Sequence, residues 1–315
     1  MRPAIVLLIA LTGCGGGGGA SGEPAPALTG RYVMAFHAYD GTTGEGADPR
    51  NHVTYIAQSD DGASWTPVSG YVADFGSVPD LVRRGDTLYL YRGRHVVRYR
   101  INENRWGAPE PVAITDADGN GQATTDNSFI VDEAGRIATF YVRGMVTEIA
   151  KQPGGTMPFG SATEVEGSDG AMFVTDEGMR LEIPRSGTEL YTDPDIFRGP
   201  NGYVLYVSYG PSVLAFTCSA LRGTYAAVAA LPNAYLARNL GGVPSGHYDA
   251  TNGTYWTYVH TTLANGMTVI RRAVHATLDT PLAESDFATV LSGAGFPGLG
   301  AAISVESPGV APNEP

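Results

Sequence analysis

Cysteine is nearly absent from this 315-residue chain: after Cys14 the only one is Cys218. No disulfide can therefore brace a body that begins after Cys14, and stability must come from a hydrophobic core. Cys218 lies in the apolar stretch Val213-Leu-Ala-Phe-Thr-Cys218, where it reads as a small buried hydrophobe. Basic residues are scarce too, 20 Lys and Arg against 32 Asp and Glu, giving a net charge of −12. No basic cluster exceeds a pair such as Arg83-Arg84. A nucleic acid would require a positive stripe to displace counterions from its phosphates, so nucleic acid is excluded as a partner. Anionic polymers fit poorly for the same reason, and neutral sugars or metal-bridged ligands fit better. No His/Cys group has zinc spacing, no Gly-x-Gly-x-x-Gly opens a helix, and no Gly-x-Ser-x-Gly elbow occurs. Helical periodicity is hard to find anywhere.

What is present begins with an address. Arg2 is followed by an apolar run over residues 4–11, then Leu11-Thr12-Gly13-Cys14 and five glycines. A basic start, a short hydrophobic stretch and small residues form a secretory signal. The run is too short to span a bilayer, which needs about 20 apolar residues. Leu-Thr-Gly-Cys resembles the lipobox of bacterial lipoproteins. The resemblance implies a signal peptide over residues 1–13, cleavage before Cys14 and lipidation of Cys14. Residues 14–29 then form a Gly/Pro linker. Gly15 after the cysteine, by resemblance to sorting in Gram-negative bacteria, implies a lipid-anchored, extracytoplasmic protein of the outer membrane.

The remainder reads as all-β. Short runs rich in Tyr, Val, Thr and Phe fall at residues 32–36, 53–57, 87–91, 95–100, 137–142, 203–208, 254–260 and 267–273, separated by turn residues. A degraded repeat joins them. Val78-Pro79-Asp80, Asp126-Asn127-Ser128, Asp193-Pro194-Asp195 and Val243-Pro244-Ser245 each open a strand, which a Gly-containing turn links to an aromatic-rich strand. Ser59-Asp60-Asp61-Gly62-Ala63-Ser64-Trp65 has the shape of an Asp-box, whose Asp caps a turn while its Trp packs between sheets. Repeated four-stranded units close radially into a β-propeller. Five blades are expected over residues 30–307, with residues 308–315 as a flexible tail. Residues 169–183 would be either an inserted hairpin or a decayed sixth blade, the insert being favoured. The first unit lacks an inner strand, which the C-terminus, near residues 301–305, would supply as a clasp.

These segments resemble the sialidase-like and arabinanase/invertase-like propellers, including glycoside hydrolase family 43. The resemblance implies carbohydrate as the partner, bound in a funnel on the axis, with acidic residues at the starts of inner strands supplying the chemistry. Glycoside hydrolysis uses two carboxyl groups, one to protonate the leaving oxygen and one to activate water or attack. The blade-entry acids Asp80, Asp126 and Asp195 are the expected catalytic residues, with Asp193 and His247 expected to contact substrate. The chain departs from the family pattern in having no Asp before Asp40 for a base on the first blade, and the early Arg-Ile-Pro of sialidases is absent. A non-catalytic interaction propeller is the alternative. No cofactor is required; Asp116, Asp118 and Asn120, alternating before Gly121, form the opening of a calcium loop, with Asn127 where the closing Glu would stand.

Overall fold

The computed structural model describes residues 28–44, 46 and 48–314. The signal segment, Cys14 and most of the linker lie outside these described residues. Within them the chain folds into five antiparallel sheets arranged around one axis, a five-bladed β-propeller.

Blade 2 runs outward through Asp80–Arg84, Thr87–Arg92 and His95–Arg100 to a short edge strand at Arg105–Trp106. Blade 4 repeats the plan with Thr192–Gly199, Gly202–Ser208 and Val213–Cys218, and blade 5 with Gly242–Asp249, Thr254–Thr262 and Thr268–His275. Blade 3 is built on Thr124–Val131, Ile137–Arg143 and Thr156–Glu164. Both strands of the 169–183 region, Met172–Thr175 and Leu181–Pro184, pair with Thr156–Glu164. That region is thus the split outer edge of blade 3, the place that Arg105–Trp106 and Glu110–Pro111 hold in blade 2, and is neither an inserted hairpin nor a sixth blade. What widens blade 3 is Ala113–Thr115, which pairs parallel to Met172–Thr175. Blade 1 combines the two ends of the chain: Ile303–Pro312 is its inner strand, followed outward by Tyr32–Asp40 and Val53–Ser59.

The clasp forms, but farther along than residues 301–305. Ile303–Pro312 pairs with Tyr32–Asp40 along almost its whole length, so residues 308–312 belong to the ring and do not form a tail. Pro308 and Pro312 suggest a strand's end because proline cannot donate to a ladder. An inner strand tolerates them, since one of its edges faces the axis and not a neighbouring strand. The terminus is held further by Asn313, whose amide nitrogen donates to Gly30 O at 2.8 Å, and by an Arg31–Glu314 ion pair.

The blades touch through apolar seams. Between blades 1 and 5 lie Phe36, Trp65, Trp256 and Tyr258. Asp61 Oδ1 accepts from the backbone N–H groups of Ala63 and Ser64 at 2.8 Å each, which shapes the turn delivering Trp65 to this seam. Tyr258 donates to Gly62 O from the neighbouring blade. Trp65 is 7% exposed, so Trp65→Ala is expected to cost about 3–5 kcal/mol. Deletion of residues 303–315 removes an inner strand outright. It should abolish the cooperative melt followed by circular dichroism; a truncated chain melting within a few degrees of the parent would contradict the clasp.

Candidate active site on the propeller axis

All five inner strands carry the same device, at or near their first residues in blades 2 to 5 and midway along Ile303–Pro312 in blade 1. A residue in the left-handed region, Val78, Asp126, Asp193, Val243 or Ser307, precedes Pro or Asn, and the third residue is Asp, Ser or Gly. The φ values lie between 45° and 54°. For β-branched Val78 and Val243 such a conformation is strained, at a cost on the order of 1–3 kcal/mol each. The device sets two tiers of side chains on the axis.

The inner tier is a ring of stitches. The backbone N–H of Phe129 donates to Asp80 Oδ2 at 2.6 Å, and that of Ile196 to Ser128 Oγ at 3.2 Å. Gly246 N–H donates to Asp195 Oδ2 at 2.7 Å, and Val310 N–H to Ser245 Oγ at 3.0 Å. Each third-position side chain thus accepts from the next blade. Gly309 has no side chain to offer, so Leu81 N–H turns to Asp80 Oδ1 at 2.8 Å. A Cβ on Gly309 would stand 2.7 Å from that oxygen, which explains the glycine. Asp80 has to be a carboxylate because it serves two amides. Asp195 also serves two donors, taking the Ser128 hydroxyl on Oδ1 at 3.4 Å.

Asp80 and Asp195 were expected to be catalytic, and this ring is where they lie. They are each 8% exposed, with only about 20 Å³ of free space between the two tiers, room for about one water. Burial raises Asp80 to about 6, and burial followed by repulsion from Asp80 raises Asp195 well above the carboxylate range. On the opposite face they border a cavity of about 460 Å³, which also holds His247. His247 packs against Tyr32 and Trp256, and burial lowers it to about 4. It is therefore separated from Asp193, its expected partner in substrate binding, by the thickness of the ring.

The outer tier faces the other end of the axis, where the inner strands begin. Asp193 N–H donates to Asp126 Oδ2 at 3.4 Å, and Asp193 Oδ2 accepts the Thr192 hydroxyl at 2.6 Å. Burial, then the Asp193 charge, pushes Asp126 well above the usual range; Asp193 is raised mainly by burial. The two carboxyls are therefore both raised and titrate as a coupled pair. Beside them stands Glu306, immediately before the left-handed residue of the blade 1 inner strand. Its Oε1 accepts from Tyr39 Oη at 2.5 Å, while its Oε2 lies 3.6 Å from His37 Nε2 and 3.7 Å from His260 Nδ1. Burial alone would raise Glu306; His37, His260 and Tyr39 outweigh it and hold the carboxyl at about 2. His37 is placed by the next blade, since Val78 N–H donates to its Nδ1 at 3.2 Å. That bond leaves the ring proton on Nε2, toward Glu306. His52 stacks on His37 with centroids 4.0 Å apart and planes 11° apart. Burial lowers His37 to about 4, so it faces Glu306 as a neutral dipole at pH 7.

Glu306, His37, His260 and Tyr39 did not stand out in the sequence. The signal was available: Ser307-Pro308-Gly309 repeats the device of Val243-Pro244-Ser245 and marks a fifth inner strand. The 116–121 loop, in contrast, closes on itself. Asp116 Oδ1 accepts from the N–H groups of Asp118 and Asn120, and its Oδ2 from the side-chain amides of Asn120 and Gln122. Amide donors, not oxygens, point at Asp116, and no group of three His, Cys, Asp or Glu side chains converges to hold a metal among the described residues. The residues present do not fit a calcium cage.

No protein-family model and no curated protein sequence matches the chain. Among solved structures it is similar to an α-L-arabinanase of Cellvibrio cellulosa, at 14% identity over 79% of this chain and 90% of that one, with a TM-score of 0.49. An endo-arabinase of Bacteroides thetaiotaomicron is similar at 13% identity, 74% and 89% coverage and a TM-score of 0.48. A xylan β-1,4-xylosidase of Bacillus halodurans is similar at 17% identity and a TM-score of 0.48; the match takes in 70% of this chain and about half, 48%, of that one.

The inner tier makes a direct prediction. Asp80 is raised from 3.8 to about 6, so the unfolded chain loses its proton first and folding stability falls as pH rises through that window. Asp80→Asn removes the titration and keeps only one of the two acceptor oxygens, so it lowers stability by a similar amount at every pH. Between pH 4 and pH 6, urea unfolding of the parent should lose about 1–3 kcal/mol relative to Asp80→Asn. Parallel pH profiles for the two proteins would contradict a buried, raised Asp80.

Proposed function

We propose that the protein is a glycoside hydrolase acting in the funnel of the outer tier, carried on a lipid anchor at Cys14 in an extracytoplasmic space. The observation that carries the reading is the separation of carboxyl pKa values within one tier. Asp126 is raised well above the ordinary carboxylate value by burial and the Asp193 charge, while Glu306 is held at about 2. Two carboxyls pushed apart by their environments are what an acid/base pair for glycoside cleavage requires. In this reading Asp126 protonates the departing glycosidic oxygen, and Glu306 attacks the anomeric carbon or activates a water. Asp193 retains the proton on the pair by its own charge, and His37, His260 and Tyr39 hold Glu306 in place and ionised. The acid that the family pattern puts on the blade 1 inner strand is here supplied from the other end of the chain, because that strand is C-terminal.

The anchor suits this arrangement. Leu28 to Tyr32 enter the ring at the end of the strands away from the outer tier, beside Ser59 and Pro312. A tether attached there leaves the funnel turned away from the membrane.

Activity is expected to be flat from about pH 3 upward and to fall on the alkaline side as Asp126 ionises. With 4-nitrophenyl glycosides as a panel, Asp126→Asn and Glu306→Gln should each lower kcat/KM by about 10²–10⁴. Asp126→Asn should lose far less on a 2,4-dinitrophenyl glycoside, whose leaving group needs no proton, whereas Glu306→Gln should lose on both. Asp80→Asn should remain active. Hydrolysis that survives Asp126→Asn and Glu306→Gln would overturn the assignment.

A further inference from the structure

A groove of about 400 Å³ leaves the outer tier at Asp126 and runs between blades 2 and 3. Its walls include Arg94 from the blade 2 hairpin and Thr124 and Met145 from blade 3. Arg143 stands directly opposite Thr124 in the strand register, so the two side chains share one face of the sheet. Arg94 and Arg143 are both exposed.

What sets these two residues apart is the state of the other arginines. Throughout the described residues the remaining guanidinium groups are engaged. Arg84, Arg92, Arg98, Arg198 and Arg222 are in ion pairs, Arg83 and Arg272 donate to backbone carbonyls, and Arg238 lies over the Tyr235 ring. Among the described residues Arg94 and Arg143 alone have neither an ion pair, a side-chain hydrogen bond nor an aromatic face. In a chain of net charge −12, one unpaired cation, Arg94, stands in the wall of a groove that Asp126 also lines, and a second, Arg143, lies across the strand pair from the wall residue Thr124. Among the described residues no carboxylate pairs with either, and the oxygens of Asp116 are engaged by Asn120 and Gln122 within their own loop.

We propose that this groove reads an anionic group on the sugar next to the cleaved bond, a uronate carboxylate or a sulfate ester, by charge-assisted hydrogen bonds from Arg94 and Arg143. Guanidinium forks match both groups. The proposal rests on the funnel being a glycan site, and it assigns the substrate class to acidic glycans despite the negative charge of the protein as a whole. Net charge governs long-range steering, whereas a groove with two free guanidinium groups governs the contact.

The test is calorimetric titration of the full-length protein with trigalacturonate and its fully methyl-esterified form, alongside a sulfated trisaccharide and its unsulfated parent. One acidic ligand should bind about tenfold more tightly than its neutral counterpart, an advantage that fades as NaCl is raised from about 0.05 to about 0.5 M. Which acid shows the preference identifies uronate or sulfate as the group read. Arg94→Gln and Arg143→Gln should each erase the preference, leaving the affinity for the neutral ligand and the melting temperature unchanged. Equal binding of acidic and neutral ligands, no binding of either, or a preference untouched by both substitutions would overturn the proposal. Failure of the hydrolase reading looks different: no glycoside is turned over while the acid preference and its arginine dependence persist. Conversely, Asp126-dependent hydrolysis of neutral glycosides that is indifferent to both arginines sinks this inference and leaves the hydrolase reading standing.

Discussion

Five backbone amides point at one axis, and each must find an acceptor in a space that admits about one water. A buried N–H left unpaired costs about 1–3 kcal/mol, so the centre of the ring is stable only if all five are satisfied. The side chains at the third position of each inner strand meet this requirement by reaching to the next blade, and the ring closes because Asp80 covers the amide that Gly309 cannot. The left-handed residue two positions earlier aims each side chain inward. Its strain is offset by the bonds it makes possible. The whole propeller therefore turns on residues that look, one at a time, like catalytic acids.

That constraint divides the acids of the axis into two kinds. Asp80 and Asp195 accept amides of neighbouring strands and have no open face toward the outer funnel. Asp126, Asp193 and Glu306 are one layer out, partly exposed, and are shifted in opposite directions by what touches them, the two aspartates up and Glu306 down. The same burial that raises a carboxyl with only another carboxyl for company is overcome where a tyrosine hydroxyl and two imidazoles face it. A funnel holding one raised and one lowered carboxyl follows from that local difference.

Much of this was legible from residue order. The all-β class, five blades and a C-terminal clasp all follow from alternating aromatic strands, Gly turns and the repeated X-Pro-Asp/Ser opening, whereas residues 169–183, read as an insert, are the outer edge of blade 3. The site was harder to read. Asp126 and Asp193 stand at recognisable blade entries, but the sequence gives no means of telling the first position of the device from the third, and that difference decides which acids face the funnel. Glu306 escaped because Pro308 and Pro312 make an inner strand resemble a tail. His37 and His260 sit in strands whose burial pattern resembles ordinary core, and only the register brings them to Glu306.

The central claim is that the outer tier holds one protonated and one ionised carboxyl across the neutral range. Infrared difference spectroscopy of the protein during a pH titration measures this directly, with Asp126→Asn and Glu306→Gln to assign the bands. A protonated-carboxyl stretch that persists at pH 7 and vanishes in Asp126→Asn, together with a Glu306 carboxylate band still present at pH 4, is the predicted result. Both groups titrating together near the ordinary carboxylate value of about 4 would contradict it.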